Sequence, residues 1–145
     1  MPALLPSMIE KLSGHDMVVA SRYVEGRADR RNKVRTFSSK LVNGFARLVL
    51  GNQIRDYTSS FVVMKRTVFD HVIPMPYGFG EFFIELVYRA NRYGLSVLEI
   101  PYVLTEHEAG ESKAFPNWTR FLQLGFMYIV RILIIKFHDV FERRP

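Results

Sequence analysis

Ser21-Arg22-Tyr23 directly follows the apolar run Met17-Val18-Val19-Ala20. A guanidinium at the carboxyl end of a buried strand lies where ligands of open α/β sheets bind, and its planar fork suits a phosphate. A solvated loop arginine would look the same in sequence. Asp56-Tyr57-Thr58-Ser59-Ser60-Phe61 sets an acid and small hydroxyls ahead of a second apolar run. Such a turn holds a sugar or phosphate by hydrogen bonds, although Asp and Ser also build turns for backbone reasons alone. Glu106-His107, followed by Gly110-Glu111-Ser112-Lys113, is a polar loop with a positive end. Glu85, beside Phe82, Phe83 and Leu86, is an acid among apolar neighbours, either paired with an arginine or poised for function.

Other chemistries are excluded or weakened. The chain has no cysteine, which removes disulfides, thiolate metal sites and a Cys nucleophile. Gly78-Phe79-Gly80 has Phe83 where a dinucleotide fingerprint needs its last glycine, and no phosphate loop, Gly-x-Ser-x-Gly or Asp-x-Asp occurs. His107-Glu108 with Glu111 lacks the second histidine of a His-Glu-x-x-His zinc motif, so no metal ligand is assigned. His15, His71 and His138 are isolated and read as structural.

These side chains need elements to position them. In 145 residues with net charge +6, there is room for one domain or part of a larger one. Between Arg22 and Arg55 nine Lys/Arg meet two acids, a cluster that suits an anionic partner. The spacing predicts a short capped helix from Pro6-Ser7 to near Gly14, and a buried parallel-type strand at Met17–Ser21. A basic loop then runs from Arg22 to Val34. A helix through Phe37–Val49 closes at Gly51, and an apolar run follows at Phe61–Met64. Val68-Phe69 opens a short helical turn. A helix over Glu81–Tyr93 carries Phe82, Leu86 and Ala90 at every fourth position and ends at Gly94. Val97–Thr105 reads as a strand that Pro101 places at an edge or breaks. Glu106–Pro116 is a loop, and an amphipathic helix begins at Asn117. The class is α/β. About three strands without a strand ahead of the first helix read as the second half of a βαβ domain.

The window Phe121–Phe137 contains Gln123, Arg131 and Lys136, which suits a helix lying on a membrane better than one crossing it. Trp118, Phe121, Phe126, Tyr128 and Phe137 with Arg120, Arg131 and Lys136 fit a headgroup region. A helix buried against the domain is the competing reading.

Taken together, Ser-Arg-Tyr after a strand, Ser39-Lys40 with Asn43 on a helix, Arg55-Asp56-x-Thr-Ser-Ser-Phe, Tyr77-Gly78-Phe79 with Glu85, Glu99-Ile100-Pro101 and Gly-Glu-Ser-Lys form a recognisable order. The chain resembles the family 2 glycosyltransferases of the dolichol-phosphate (polyprenyl-phosphate) mannosyltransferase type, from about Leu5 to the last helix. The resemblance implies a partial GT-A fold with a C-terminal amphipathic helix. It divides the chain into an acceptor-side part, 1–116, and an interfacial helix and tail, 117–145. The implied reaction moves mannose from GDP-mannose to a polyprenyl (dolichyl) phosphate with inversion, at the cytoplasmic face of a membrane.

By the same resemblance, Arg22, Ser39 and Lys40 hold the acceptor phosphate, with Lys40 where the family usually has arginine. Asp56 orients, and Ser21, Tyr23, Thr58, Ser60 and Glu85 support the site. Ser59 stands where glycine is common. His107, Gly110, Ser112 and Lys113 belong to the donor-diphosphate loop, with His107 where arginine is frequent. Mg²⁺ or Mn²⁺ is expected for the complete enzyme, held by an Asp-x-Asp in a donor-binding half that precedes this region. The chain is therefore expected to be inactive alone, needing that half or a homo-oligomeric partner. Two other readings are a non-catalytic subunit or remnant, and a basic anion- or nucleic-acid-binding domain. The basic run lacks aromatic interleaving and any reader motif, so no specific nucleic acid is expected.

Overall fold

A computed structural model describes residues 4–25, 28–29, 33–75, 80–104 and 118–141. Its centre is β1 (Met17–Ser21), buried along its whole length. β1 pairs antiparallel with β3 (Val62–Met64), Met17 opposite Met64, and parallel with β4 (Val97–Pro101), Met17 opposite Val97 and Ser21 opposite Pro101. The unbroken apolar run has a simple cause: successive strand side chains point to opposite faces, and both faces are covered. Met17 and Val19 enter the larger core with Ala46, Ile54, Phe83 and Ile132. Val18 and Ala20 enter a smaller one with Met8, Ile100 and Tyr102.

The predicted long strand does break at Pro101. After Tyr102 the chain resumes as β5 (Val103–Leu104), which forms a second small sheet by pairing in parallel with β2 (Ala28–Asp29), a strand inside the segment read as a basic loop. The described sheets thus hold five strands in place of the expected three.

Among the described residues four α-helices and one 3₁₀ helix flank the sheets. The first, α1 (Leu5–Lys11), starts without a side-chain cap. Ser7 is not the expected capping residue. Pro6 in the first turn already presets φ and removes one orphan N–H. His15 keeps a structural place, its Nδ1 3.1 Å from the Lys11 carbonyl. Helix α2 (Lys33–Leu50) stops at Gly51, whose φ of +113° excludes other residues without strain. Arg66–Asp70 forms the 3₁₀ turn.

Helix α3 (Phe82–Arg92) ends in paired bonds from Gly94 N–H to Asn91 and Leu95 N–H to Ala90, the Schellman pattern. Its burial departs from a single stripe. Phe83 through Tyr88 are all buried, Glu85 included, whereas Phe82 is exposed. Packed between β4 and α4, the helix buries more than one stripe and leaves its polar residues Arg89, Asn91 and Arg92 half-buried.

Helix α4 (Trp118–Phe141) packs on α2 and α3 through Leu124, Ile132 and Ile135. Arg131 is buried too, and Tyr128 turns onto the larger core, so these two leave the headgroup set assigned from sequence. An ion pair between Arg92 and Asp139 ties the far end of α4 to α3. Leu122, Phe126, Leu133, Phe137, Val140 and Phe141 remain exposed on the opposite face, as do Phe37, Leu41 and Leu48 of α2. Among the described residues no helix is long and apolar enough to cross a membrane.

Gly51→Ala should destabilise the chain by about 1–3 kcal/mol, because alanine is forced into a conformation it avoids. The urea midpoint measures this, and an unchanged midpoint would contradict the strained end to α2.

Candidate functional site

At the carboxyl end of β1 the backbone delivers Arg22 into the turn that precedes β3. Arg22 donates from Nε to Asp56 Oδ2 at 2.9 Å and from Nη2 to Asp56 Oδ1 at 2.8 Å, a bidentate clamp. Its backbone N–H adds a third bond to Oδ2 at 2.9 Å, and Nη2 also reaches Thr58 Oγ1 at 2.6 Å. Both residues are buried, Arg22 at 4% exposure and Asp56 at 0%. Burial alone would ease the proton off the guanidinium; the bonds and charge of Asp56 outweigh it and hold Arg22 above its ordinary value.

Two consequences follow for the residues named from sequence. The fork offered to a phosphate is taken by Asp56, so the Nη1 protons are those that neither Asp56 nor Thr58 uses. Asp56 meanwhile accepts from Arg22 three times and from Thr58 N–H at 3.1 Å. A carboxylate so committed orients; it has little lone-pair capacity left for taking a proton.

The turn itself is held from two sides. Glu99, on β4 beside Val19, accepts from the backbone N–H of Arg55 at 2.7 Å and of Asp56 at 2.9 Å. Asn43 on α2 donates to the Arg55 carbonyl at 2.6 Å and accepts from Tyr57 N–H at 2.8 Å. Sequence reading had both residues in its motifs and gave neither a role. The signal was present for Glu99: an acid inside the apolar strand Val-Leu-Glu-Ile needs a partner. Ser59 donates to the Ala20 carbonyl, and its oxygen accepts from Phe61 N–H at 3.3 Å, stitching the turn to β1. The positive φ of +59° falls at Ser60, the residue after the one where glycine was expected.

Ser21 is fully buried, its Oγ accepting from Tyr23 N–H at 3.3 Å. The Arg22 guanidinium lies 5.5 Å from the Tyr23 ring centroid. Ser39 and Lys40 occupy the turn of α2 before Asn43, Ser39 half-buried and Lys40 exposed. Glu85 settles on arginine pairing: Arg89 Nε is 2.9 Å from Oε1, Arg131 Nη1 is 3.6 Å from Oε2, and Met75 N–H donates at 3.2 Å. It is part of the α3–α4 joint rather than of the Arg22 site. His107, Gly110, Ser112 and Lys113 lie outside the described residues, as do Tyr77, Gly78 and Phe79.

One neighbour read from sequence as a headgroup residue stands beside this site instead. Tyr128 of α4 puts its hydroxyl 2.7 Å from where a Cβ on Gly80 would stand, close to Ser60. Its phenol is pushed up to about 12, first by burial and then by the charge of Glu81, with Arg22 pulling the other way. Helix α4 therefore reaches the edge of the Arg22 site. Among the described residues no group of three or more His, Cys, Asp or Glu is placed to hold a metal ion.

No family model matches the chain. Curated relatives do. Over 104 residues, 70% of this chain and 39% of the relative, it is 36% identical to the polyprenol monophosphomannose synthase of Mycolicibacterium smegmatis. Over 121 residues, 77% of this chain and 47% of the relative, it is 26% identical to the undecaprenyl-phosphate mannosyltransferase of Micrococcus luteus. The chain thus spans less than half the length of the curated relatives it matches. These relatives do not favour the nucleic-acid or remnant readings.

Asp56→Ala should cost about 3–5 kcal/mol in urea unfolding, since it strands a buried guanidinium. Combining it with Arg22→Met should recover part of that loss; a double variant as unstable as the single one would contradict the coupling. Alkaline pH gives a second check. Tyr128 ionises near the ordinary tyrosine value of 10.0 when unfolded and at about 12 when folded, so the native state keeps a proton that the unfolded state releases. Stability should fall as pH rises through that interval, and Tyr128→Phe should flatten the fall.

Proposed function

From the premise that this chain is a partial homologue of the family 2 polyprenyl-phosphate mannosyltransferases, we propose that it forms the acceptor side of such an enzyme, built on a GT-A fold. The acceptor is a polyprenyl phosphate and the donor GDP-mannose. The observation that carries the proposal is the clamped Arg22 at the end of β1, in a chain whose curated relatives are named for that acceptor class.

The chemistry explains the equipment. A phosphate monoester has its second pKa near 6 and is largely dianionic at neutral pH, so the nucleophile needs no strong base. It needs cations that set one oxygen in line with the anomeric carbon, and neutralisation of the departing diphosphate. In the step itself that oxygen bonds to the anomeric carbon from the face opposite GDP. The bond to GDP breaks, its electron pair leaves with the diphosphate, and the configuration inverts.

Arg22 through its Nη1 edge and Lys40 as a point charge, with Ser39 as a hydrogen-bonding neighbour, are assigned to the acceptor phosphate. Asp56 and Thr58 orient Arg22. His107, Gly110, Ser112 and Lys113 are assigned to the donor diphosphate. The described residues do not fit a Mg²⁺ or Mn²⁺ site, and the sequence has no Asp-x-Asp. The metal and the nucleoside part of the donor are assigned to residues outside this chain, and no step here is derived through the metal. The exposed apolar faces of α2 and α4 are assigned to a membrane surface, on which the enzyme sits peripherally at the cytoplasmic side.

Vesicle flotation of the full 145-residue chain tests this reading. The chain should float with phosphatidylcholine vesicles containing undecaprenyl phosphate better than with vesicles holding an equal charge of phosphatidylglycerol. Arg22→Ala with Lys40→Ala should remove that difference, a loss of about tenfold or more for charge-assisted contacts. Equal flotation with both lipids would overturn the acceptor assignment.

A further inference from the structure

Four backbone polar groups around Asp56 are met by side chains from other elements. Glu99 takes the N–H groups of Arg55 and Asp56, and Asn43 takes the Arg55 carbonyl and the Tyr57 N–H, all at 2.6–2.9 Å. Asn43 is itself buried, at 3% exposure. Tyr57 anchors the far side, its ring buried and its hydroxyl donating to the Gly51 carbonyl at 3.1 Å. The Asp56 carboxylate, which aims the guanidinium, thus takes its direction from a carboxylate on β4 and an amide on α2.

We infer that Glu99, braced by Asn43, is a positioning residue for the acceptor arginine: it sets the Asp56 turn, and through it the direction in which Arg22 presents its remaining N–H edge. The inference rests on the assignment of Arg22 to the acceptor phosphate. Glu99 has no part in the transfer itself. Its two oxygens are both needed, because two neighbouring N–H groups point at it. An amide supplies one acceptor and opposes the other N–H with a donor. Aspartate keeps the charge on a shorter arm and should hold only one of the bonds. The consequence is a site whose cation is aimed by residues that touch neither substrate, so its precision depends on strand and helix rather than on the loop.

The test uses the ¹⁵N-labelled chain and variant Glu99→Gln, with Arg22→Lys to identify the Arg22 Nε–H resonance. In the parent chain that proton, buried against Asp56, should exchange slowly with solvent. In Glu99→Gln it should exchange at least tenfold faster, while the amide spectrum stays dispersed. Binding of farnesyl phosphate should weaken about tenfold as one charge-assisted bond is lost. Binding of farnesol should not change. A purely structural role would lower the urea midpoint and leave the Arg22 resonance and the farnesyl phosphate affinity of the folded protein alone, which overturns the inference.

If Glu99→Gln does not fold, the parent chain still decides. The Arg55 and Asp56 amides donate to Glu99 rather than to a backbone carbonyl, and exchange at random-coil rates would overturn the bracing. If the parent chain binds farnesyl phosphate no better than farnesol, the acceptor assignment fails and takes with it the functional half of the inference. The Arg22 resonance then reports separately on whether Glu99 aims the guanidinium.

Discussion

The buried Arg22–Asp56 pair is the constraint around which the rest is arranged. Removing two charges from water costs several kcal/mol each, and a pair recovers that only when its geometry is good and its other valences are filled. Here Asp56 spends its lone pairs on three N–H bonds from Arg22 and one from Thr58. That saturation in turn demands a turn of fixed shape, hence the side chains of Glu99 and Asn43 on its backbone. The fixed turn also feeds β3, which pairs with the strand that delivers Arg22. The loop of dependence closes on itself, because the turn and the strand that carries Arg22 hold each other.

Much of this was legible in the residues. β1 could be read to its bounds because both of its faces are covered, so nothing interrupts the apolar run. Gly51 and Gly94 marked the helix ends because each occupies a positive φ that other residues avoid. The break after Pro101 was legible for a similar reason, since proline cannot donate to a ladder. Glu85 could be read as a partly buried acid, either paired with an arginine or poised for function, and the pairing is with Arg89 and Arg131.

What could not be read depends on long-range partners. The arginine fork is spent on an acid thirty-four positions away, a fact that no local pattern carries. Two-residue strands such as β2 and β5 have no periodicity to detect. Helix α4 reads as amphipathic, but only packing divides its apolar residues: Leu124, Ile132 and Ile135 go to the core, Phe126 and Phe137 to solvent. Arg131 looked like a headgroup anchor because its partner, Glu85, sits on another helix.

The two small sheets carry an unequal arithmetic. From the Ser21–Pro101 pairing to the Ala28–Val103 pairing, one strand takes seven steps and the other two. Tyr102 is the single joint on the short side, and its N–H bonds back to Ser21 at 3.2 Å. The short side can absorb no added residue without losing register with its neighbour. A residue added at Tyr102 should therefore break the parallel register of β5 with β2, so the two small sheets are kept in step by a joint one residue long.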